Sequence, residues 1–313
     1  MSKLDLGIGG RYGFRSGSFR AKNVQVDQRL QVAGNEMPIM PMSGDVFYVD
    51  TNISASGNGK SWGKAFKTIT AGIAALGNYD TLIIGPGNYD EAALISLDDK
   101  TGVRIFGSGT GMQWGEGQTC WRDVTSTLDL LNLSGNKGVE IAGICFINVT
   151  SGKDAINFDG LNYSVHIHDC SFIGDVGSGA VQAYGINAGG SNSADLYVHD
   201  CRFLRQLTTG IFSVGQRAVI QNCFFVVAAS AKGIDDINAA SGYNLVSDCY
   251  FLGANSSDVG IDMTPTTAGR NMVTNCHFSN CATTMTGGST GAEANACLNY
   301  GSTAAGGVLI DPT

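Results

Sequence analysis

Along most of this chain, hydrophobic and polar residues alternate in short runs that are separated by glycine, asparagine, aspartate or serine. Such alternation is typical of β-strands with one buried face. In the second half of the chain the strands share a motif, in which Asp or Asn precedes Cys, a variable residue and Phe. Its copies are Asp169-Cys170-Ser171-Phe172, Asp200-Cys201-Arg202-Phe203, Asn222-Cys223-Phe224-Phe225, Asp248-Cys249-Tyr250-Phe251 and Asn275-Cys276-His277-Phe278, with Ile144-Cys145-Phe146 as an earlier degenerate copy.

The cysteines of this motif are 25, 31, 22, 26 and 27 residues apart, which predicts structural repeats. Each copy follows a second motif by about half a repeat; these pairs are Ala155-Ile156, Gly185-Ile186, Gly210-Ile211, Gly233-Ile234 and Gly260-Ile261. Because side chains two apart on a strand share a face, the Cys and Phe of each motif are predicted to point inward together. The predicted core ladder comprises Cys145, Cys170, Cys201, Cys223, Cys249, Cys276, Phe172, Phe203, Phe225, Phe251 and Phe278.

Stacked repeats of this kind predict an all-β chain that folds as a single-stranded right-handed parallel β-helix. Neighbouring cysteines would have parallel Cα–Cβ vectors, which is the wrong geometry for a disulfide, so we expect free buried thiols. Whole-repeat spacing without a Cys-x-x-Cys pair also disfavours a zinc site among them. Cys120, Cys281 and Cys297 lie outside the predicted ladder, and the sequence gives them no role.

Residues 46–90 differ from the repeats. Val46–Asp50 and Thr81–Ile84 have strand patterns, and between them Phe66, Ile69, Ile73 and Leu76 recur at helical spacing. The first coil of a solenoid exposes strand edges and its hydrophobic interior, so it needs a cap. An amphipathic helix laid across the opening is the predicted cap.

The same segment resembles the entry module of the pectate-lyase-like β-helix superfamily. The resemblance is carried by Tyr48-Val49-Asp50, Gly57-Asn58, Trp62, Ala65-Phe66-Lys67-Thr68-Ile69 and Pro86-Gly87-Asn88-Tyr89, in this order. It implies the β-helix fold and no particular function, because that superfamily includes lyases, epimerases, adhesins and viral spikes.

The two ends define the remaining predicted regions. Residues 1–45 precede the β-helix, which we expect over 46–281, and residues 282–313 form a closing cap or a tail. Short alternating stretches between Phe19 and Asn35 are similar to the shaft strands of bacteriophage fibres and other virion proteins. Before them, basic and aromatic residues alternate as in an attachment arm: Arg11, Tyr12, Phe14, Arg15, Phe19, Arg20 and Lys22.

Composition narrows the function classes. Glycine supplies 44 of 313 residues and charged residues only 15%, which suits a solenoid rich in turns. The net charge of −8 and the lack of a long basic run argue against nucleic-acid binding. The sequence has no long apolar stretch that predicts a membrane span, and its first twenty residues do not resemble a secretory signal.

The chemistry-bearing residues do not form a recognisable site in the sequence. Asp235 and Asp236 are adjacent and should face opposite ways, and other carboxylates, such as Asp154, Asp159, Asp195, Asp258 and Asp262, are explained by solvated turns. His168 and His199 each precede a ladder cysteine by two residues, so they are predicted to point inward and stack. A hydrogen-bonded structural role is favoured over metal binding, which would lack a third ligand. We therefore predict no catalytic residues, no metal site and no cofactor.

Three hypotheses about function remain. The leading one is a non-catalytic virion protein of a bacteriophage, assembled in the host cytoplasm: a capsid decoration protein, head fibre or tail-associated spike. It would be a homotrimer, attached to capsid or tail proteins through residues 1–45, with host-surface glycans as a candidate partner. The second is a polysaccharide-degrading or polysaccharide-modifying enzyme, such as a tailspike depolymerase, lyase or epimerase. The third is a bacterial surface adhesin.

Overall fold

The structure is a computed structural model that divides into two compact units, Met1–Met42 and Ser43–Thr313. It describes residues 30–32, 35–37, 44–109, 117–123, 129–148, 152–174, 182–189, 193–204, 207–212, 215, 217–235, 243–254, 257–262, 270–286, 295–297, 299–303 and 306–310. In the first unit, strands Leu30–Val32 and Asn35–Met37 pair antiparallel. The predicted attachment arm and the stretch from Phe19 to Arg29 lie outside the described residues. Within the described ranges, no helix is both long and apolar enough to cross a bilayer.

The second unit is a parallel β-helix of three long sheets, through which the chain passes in turn on every coil. The first sheet contains Val46–Val49, Thr81–Ile84, Arg104–Phe106, Glu140–Ala142, His166–His168, Tyr197–His199, Val219–Gln221, Tyr243–Ser247, Arg270–Thr274 and Asn295–Cys297. The second contains Gly87–Glu91, Thr119–Asp123, Ile144–Asn148, Ser171–Gly174, Arg202–Leu204, Phe224–Val226, Tyr250–Leu252, His277–Ser279, Asn299–Thr303 and Gly306–Ile310. The third contains Ile95–Asp98, Leu131–Ser134, Ile156–Phe158, Gln182–Asn187, Leu207–Phe212, Lys232–Asp235, Val259–Asp262 and Thr283–Thr286.

Pairing is parallel throughout these sheets except at the last pair of the second, where Asn299–Thr303 meets Gly306–Ile310 antiparallel. A short additional pair, Asn162–Tyr163 with Ser193–Ala194, lies between two coils. The architecture is thus the right-handed single-stranded parallel β-helix that the repeats predict. Coil pairing continues beyond residue 281, since Thr283–Thr286 and Asn295–Cys297 extend the third and first sheets.

The Asp or Asn of each motif forms the corner between the first and second sheets. We call these residues the corner column: Asp169, Asp200, Asn222, Asp248 and Asn275, all with φ between 50° and 55°. Asp and Asn tolerate this left-handed conformation better than most residues do, because their short polar side chains form local hydrogen bonds. Here Asn275 Nδ2 donates to Asp248 Oδ1 at 2.5 Å, and Asn222 donates to Asp200 in the same way. The corner therefore turns sharply while neighbouring coils stay connected.

The interior is organised around a column of stacked rings, the phenyl ladder. From Phe172 through Phe203, Phe225 and Phe251 to Phe278, successive ring centroids lie 4.7 to 4.9 Å apart with planes within 9°. Phe146 and Trp121 continue the column at 5.3 and 5.5 Å. Every ring of this ladder is fully or almost fully buried. Burial of such large apolar side chains is the main stabilising contribution that the repeats supply.

The second sequence motif packs directly against this ladder. Its glycines, Gly185, Gly210, Gly233 and Gly260, face the rings of Phe203, Phe225, Phe251 and Phe278. A Cβ atom at these positions would lie 2.6 to 2.8 Å from ring carbon Cδ1 and 2.5 to 2.7 Å from the carbonyl oxygen of the next coil. The Cys-x-Phe and Gly-Ile motifs are therefore two sides of one contact, which explains why they recur in phase.

Five of the six predicted ladder cysteines line the interior beside the rings, and the prediction for Cys145 is wrong. Cys170, Cys201, Cys223, Cys249 and Cys276 are buried and not disulfide-bonded, and each Sγ lies 3.7 to 3.9 Å from a backbone carbonyl oxygen of the preceding coil. Cys145 is not part of this column, because it pairs with Ser171 and with Cys120. It directly precedes Phe146, so alternation turns it to the opposite face, and buried Ile144 takes the inward position.

The segment before the repeats folds into two strands and a short helix. Helix α1, Ile69–Ala74, begins after Thr68, whose hydroxyl accepts a hydrogen bond from the Ala71 N–H. Ile69, Ile73 and the following Leu76 are buried in the main core. Gly72 lets the helix approach Val49 and Leu82 closely, since a Cβ there would lie 2.7 Å from a Val49 methyl group. The helix is shorter than the predicted periodicity from Phe66 to Leu76, because Phe66 lies before it in a β-bridge to Val49.

Candidate functional site

The outer face of the first sheet carries a grid of polar side chains. Glu140, His166 and Tyr197 are partners in neighbouring strands and form one column, while His168, His199 and Gln221 form the next. Between the columns, Ile141, Ile167 and Val198 point inward and are fully buried. Alternation on three-residue strands therefore places two outward side chains on each coil, and stacking places those of successive coils side by side.

Four of these residues form a compact group, which we call the histidine cluster: Glu140, His166, His168 and His199. The Nε2 atoms of His166 and His199 lie 2.6 Å apart, and His168 Nε2 lies 3.2 Å from Glu140 Oε1. The rings of His168 and His199 stack at 4.9 Å with planes 4° apart. The side chains of Glu140, His168 and His199 are 29, 18 and 19% exposed, so the cluster is half-buried.

Carboxylates of the corner column form hydrogen bonds with the Nδ1 atoms of two of these imidazoles. His168 Nδ1 lies 2.8 Å from Asp169 Oδ2, and His199 Nδ1 lies 2.6 Å from Asp200 Oδ2. A neutral imidazole that donates its Nδ1–H to a carboxylate presents a lone pair at Nε2. In both residues Nε2 is the atom that faces the rest of the cluster. The backbone geometry of the corner thus fixes the orientation of these side chains.

Burial and the neighbouring groups shift the pKa values of His166 and His168 in opposite directions. Burial lowers the pKa of His166, and the neighbouring imidazoles of His168 and His199 lower it further. Burial also acts to lower the pKa of His168, but the hydrogen bonds that His168 donates to Asp169 and Glu140 outweigh it, so the pKa of His168 lies above its ordinary value. The hydrogen bond from His199 lowers the pKa of Asp200. Arg104 Nε, 3.3 Å from Glu140 Oε2, adds a further positive charge beside the cluster.

The inward orientation predicted for His168 and His199 is wrong, although the two rings do stack. The prediction assumes that side chains alternate without interruption from the histidines to the ladder cysteines. The left-handed backbone at Asp169 and Asp200 interrupts this alternation. Sequence analysis also missed Glu140 and His166 as neighbours. A usable signal was present: Glu140, His166 and Tyr197 each precede the inward residue of their coil, Ile144, Cys170 or Cys201, by four positions.

An open groove continues from the cluster along the same face. It has a volume of about 420 Å³ and is lined by Tyr197, His199, Asp200, Gln221, Asn222 and Asp248. The Tyr197 hydroxyl donates to Gln221 Oε1 at 3.3 Å, and Gln221 Nε2 donates to Asp248 Oδ2 at 3.4 Å. Amide, carboxylate and phenol groups in one row offer donors and acceptors of the kind that bind hydroxylated ligands.

A second group of functional side chains lies on the third sheet. Asp154 is buried, accepts hydrogen bonds from the Tyr184 N–H at 3.1 Å and from Asn187 Nδ2 at 2.9 Å, and has a pKa raised by burial to about 6. Nearby, Lys232 Nζ lies 2.7 Å from both Asp235 and Asp262. Asp258 and Asp262 are also buried, so solvated turns do not explain these carboxylates.

We expect Asp154 to make stability pH-dependent. Its pKa is near 3.9 in an unfolded chain and about 6 here, so the folded state binds the proton more tightly and loses stability as pH rises through this window. The loss is ~1.4 kcal/mol per pKa unit, or about 3 kcal/mol in all. Asp154→Asn should remove this part of the pH dependence, measured as the free energy of urea unfolding between pH 4 and pH 7.5. Asp159→Asn, which changes an exposed carboxylate on the same coil, should leave the dependence intact; an equal effect would contradict the assignment.

Comparisons with known proteins concern the fold. The structure of the pectin methylesterase from Aspergillus niger matches with a TM-score of 0.51 at 16% identity, over 83% of this chain and 86% of that one. Pectate lyase Pel9A matches with a TM-score of 0.48 at 15% identity, over 75% and 63%. ORF18 of Geobacillus virus E2 matches with a TM-score of only 0.29 at 13% identity, over 80% and 55%.

No protein-family model matches the chain, and no curated protein is significantly similar to it in sequence. Identities this low relate folds and carry no activity from one protein to another. The three parallel sheets, the coil-by-coil register and the match to a pectin methylesterase agree on one architecture. The chain folds as a right-handed single-stranded parallel β-helix.

Proposed function

We propose that this chain is a non-catalytic structural protein of a bacteriophage virion: a capsid decoration protein, head fibre or tail-associated spike. The observation that carries the proposal is that polar side chains on the outer faces form contacts between neighbouring coils. They connect each coil to the next, as where Lys232 bridges Asp235 and Asp262 on successive strands. Together with the phenyl ladder, such contacts join the coils into one body, as we expect for a structural component of a particle.

Two features of the chain support the rest of the proposal. The basic and aromatic residues between Arg11 and Lys22 are the attachment segment, which would bind capsid or tail proteins. On the outer face of the second sheet, Phe224, Tyr250 and His277 stack at 5.3 and 4.7 Å in an aromatic column. We assign this column to contacts between copies in a homotrimer, and the groove beside Tyr197 to a host-surface glycan.

The experiment is to locate the protein in purified particles. Mass spectrometry of gradient-purified virions should find the chain at stoichiometric amounts, and antibody-labelled electron microscopy should place it on capsid or tail. Deleting residues 1–45 should release the β-helix from particles while light scattering still reports a trimer. Particles of full composition that lack the chain would refute the proposal.

A second candidate function is a polysaccharide-modifying or polysaccharide-degrading enzyme. The observation that favours it is Asp154, a buried carboxyl group with a pKa of about 6, which is the range of a general acid. Burial, with the negative charges of Asp154 and Asp235, also raises the pKa of Tyr184, so the outer face of the third sheet concentrates titratable groups. The pectin methylesterase of similar fold makes methyl-esterified and free polyuronates reasonable first substrates to test.

Purified protein incubated with pectin, polyuronates and bacterial surface polysaccharides distinguishes the two candidates. If the chain is an enzyme, methanol, reducing ends or unsaturated ends should appear, and Asp154→Asn should abolish them while His277→Ala should not. If it is a structural protein, none of these products should exceed the buffer control.

A further inference from the structure

The histidine cluster has the donor set of a transition-metal site. Glu140, His166 and His168 each supply one ligand atom, and these three atoms lie within 4.8 Å of one another. His199 lies beside this group, with its Nε2 2.6 Å from that of His166. Two imidazole nitrogens at this distance share a proton in a hydrogen bond. Nitrogen donors with one carboxylate are the ligands that Zn²⁺ and related divalent ions bind in proteins.

The surroundings of the cluster are those of a supported site. In metal sites, ligating histidines almost always donate the other ring N–H to a carboxylate or carbonyl group. His168 and His199 do so to Asp169 and Asp200, at 2.8 and 2.6 Å. This arrangement directs Nε2 of both rings toward the side where Glu140 and His166 lie.

The fold holds these groups in place without a loop. Glu140, His166 and His168 lie on adjacent parallel strands whose register is fixed by buried Ile141 and Ile167. The side chains are half-buried, so an ion would be partly shielded from water yet reachable from solvent. Rigid strands are better supports for a metal site than loops are.

We propose that Glu140, His166 and His168 form a binding site for a divalent transition metal ion, with Zn²⁺ as the best match and the imidazole of His199 beside it. Asp169 and Asp200 position the imidazoles. The site belongs to the β-helix body and is independent of whether the chain is a virion component.

Isothermal titration calorimetry of the full chain with Zn²⁺ at neutral pH tests this proposal. One ion should bind per chain, and the melting temperature should rise with zinc. His166→Ala combined with His168→Ala should abolish binding, and Glu140→Gln, which keeps the side-chain shape, should weaken it. Asp169→Asn should weaken it about tenfold, as expected for a residue that only positions a ligand.

The control is Asp159→Asn, which changes an exposed carboxylate outside the cluster and should leave zinc affinity unchanged. Circular dichroism checks that each variant is folded. Co²⁺ as a substitute reports the donor atoms, since coordination by the buried cysteines would add a thiolate charge-transfer band. The proposal is overturned if folded wild-type protein binds no zinc, if the double variant binds as tightly as wild type, or if the Co²⁺ spectrum shows sulfur ligands.

Discussion

Phe225→Ala should destabilise the β-helix by about 3–5 kcal/mol, lowering its melting temperature by roughly 10 °C. Phe225 is 1% exposed and stacks between Phe203 and Phe251, with both centroid distances at 4.7 Å. Its removal leaves a ring-sized cavity in the middle of the column. The flanking coils cannot close this cavity without breaking their strand register, so the cost should fall at the upper end of the range for such truncations.

Phe224→Ala is the matched control, because it removes the same group from the adjacent position on the outer face. Phe224 is half-exposed and stacks on Tyr250 at 5.3 Å, so within a single copy its loss should cost only about 1 kcal/mol. Thermal unfolding followed by circular dichroism measures both variants. Equal destabilisation by the two substitutions would contradict the assignment of inward and outward faces on this strand.

Gly233→Ala should have a similarly large effect, although it adds one methyl group. The added Cβ would lie 2.5 Å from the Gly260 carbonyl oxygen and 2.6 Å from Phe251 Cδ1. The carbonyl oxygen belongs to the strand ladder and the ring is fixed in its stack, so neither can move cheaply. Overpacking between two rigid neighbours is expected to cost about 3 kcal/mol.

Gly63→Ala provides the comparison, since a Cβ at Gly63 would meet no atom within 4 Å. That variant should be unchanged or slightly more stable, because alanine restricts the unfolded chain more than glycine does. The free energies of urea unfolding of the two variants measure the difference. A Gly233→Ala protein as stable as the Gly63→Ala protein would show that the phenyl ladder does not require glycine at the positions that face it.

Most of the β-helix could be predicted from the sequence because its strands carry an inward residue of constant type. Phe172 and its equivalents recur at coil spacing, so register and inward face follow from counting. Prediction failed where the period changes. Cys145 is a cysteine like the ladder residues, but it lies one residue before its phenylalanine, Phe146, instead of two. It therefore pairs with Ser171 and points to the opposite face of the strand.

The outer face was harder to predict, because a corner residue resets the alternation between the first and second sheets. Counting back through Asp169 placed His168 inside, whereas φ of 51° at the corner turns it outward. The histidine cluster also joins residues 26 and 31 positions apart in sequence, such as Glu140 with His166 and His168 with His199. These contacts become visible only after the coils are aligned on their inward residues. The raised pKa of Asp154 depends on burial, which the sequence does not report.

The regular spacing of the phenyl ladder also means that the length of the β-helix is set by its number of coils. Each coil advances the body by one ring, with centroids 4.7 to 4.9 Å apart between Phe172 and Phe278. Duplicating one complete repeat would lengthen it by a single step of about 4.8 Å and leave its cross-section unchanged. The length of such a β-helix can therefore change only by whole coils.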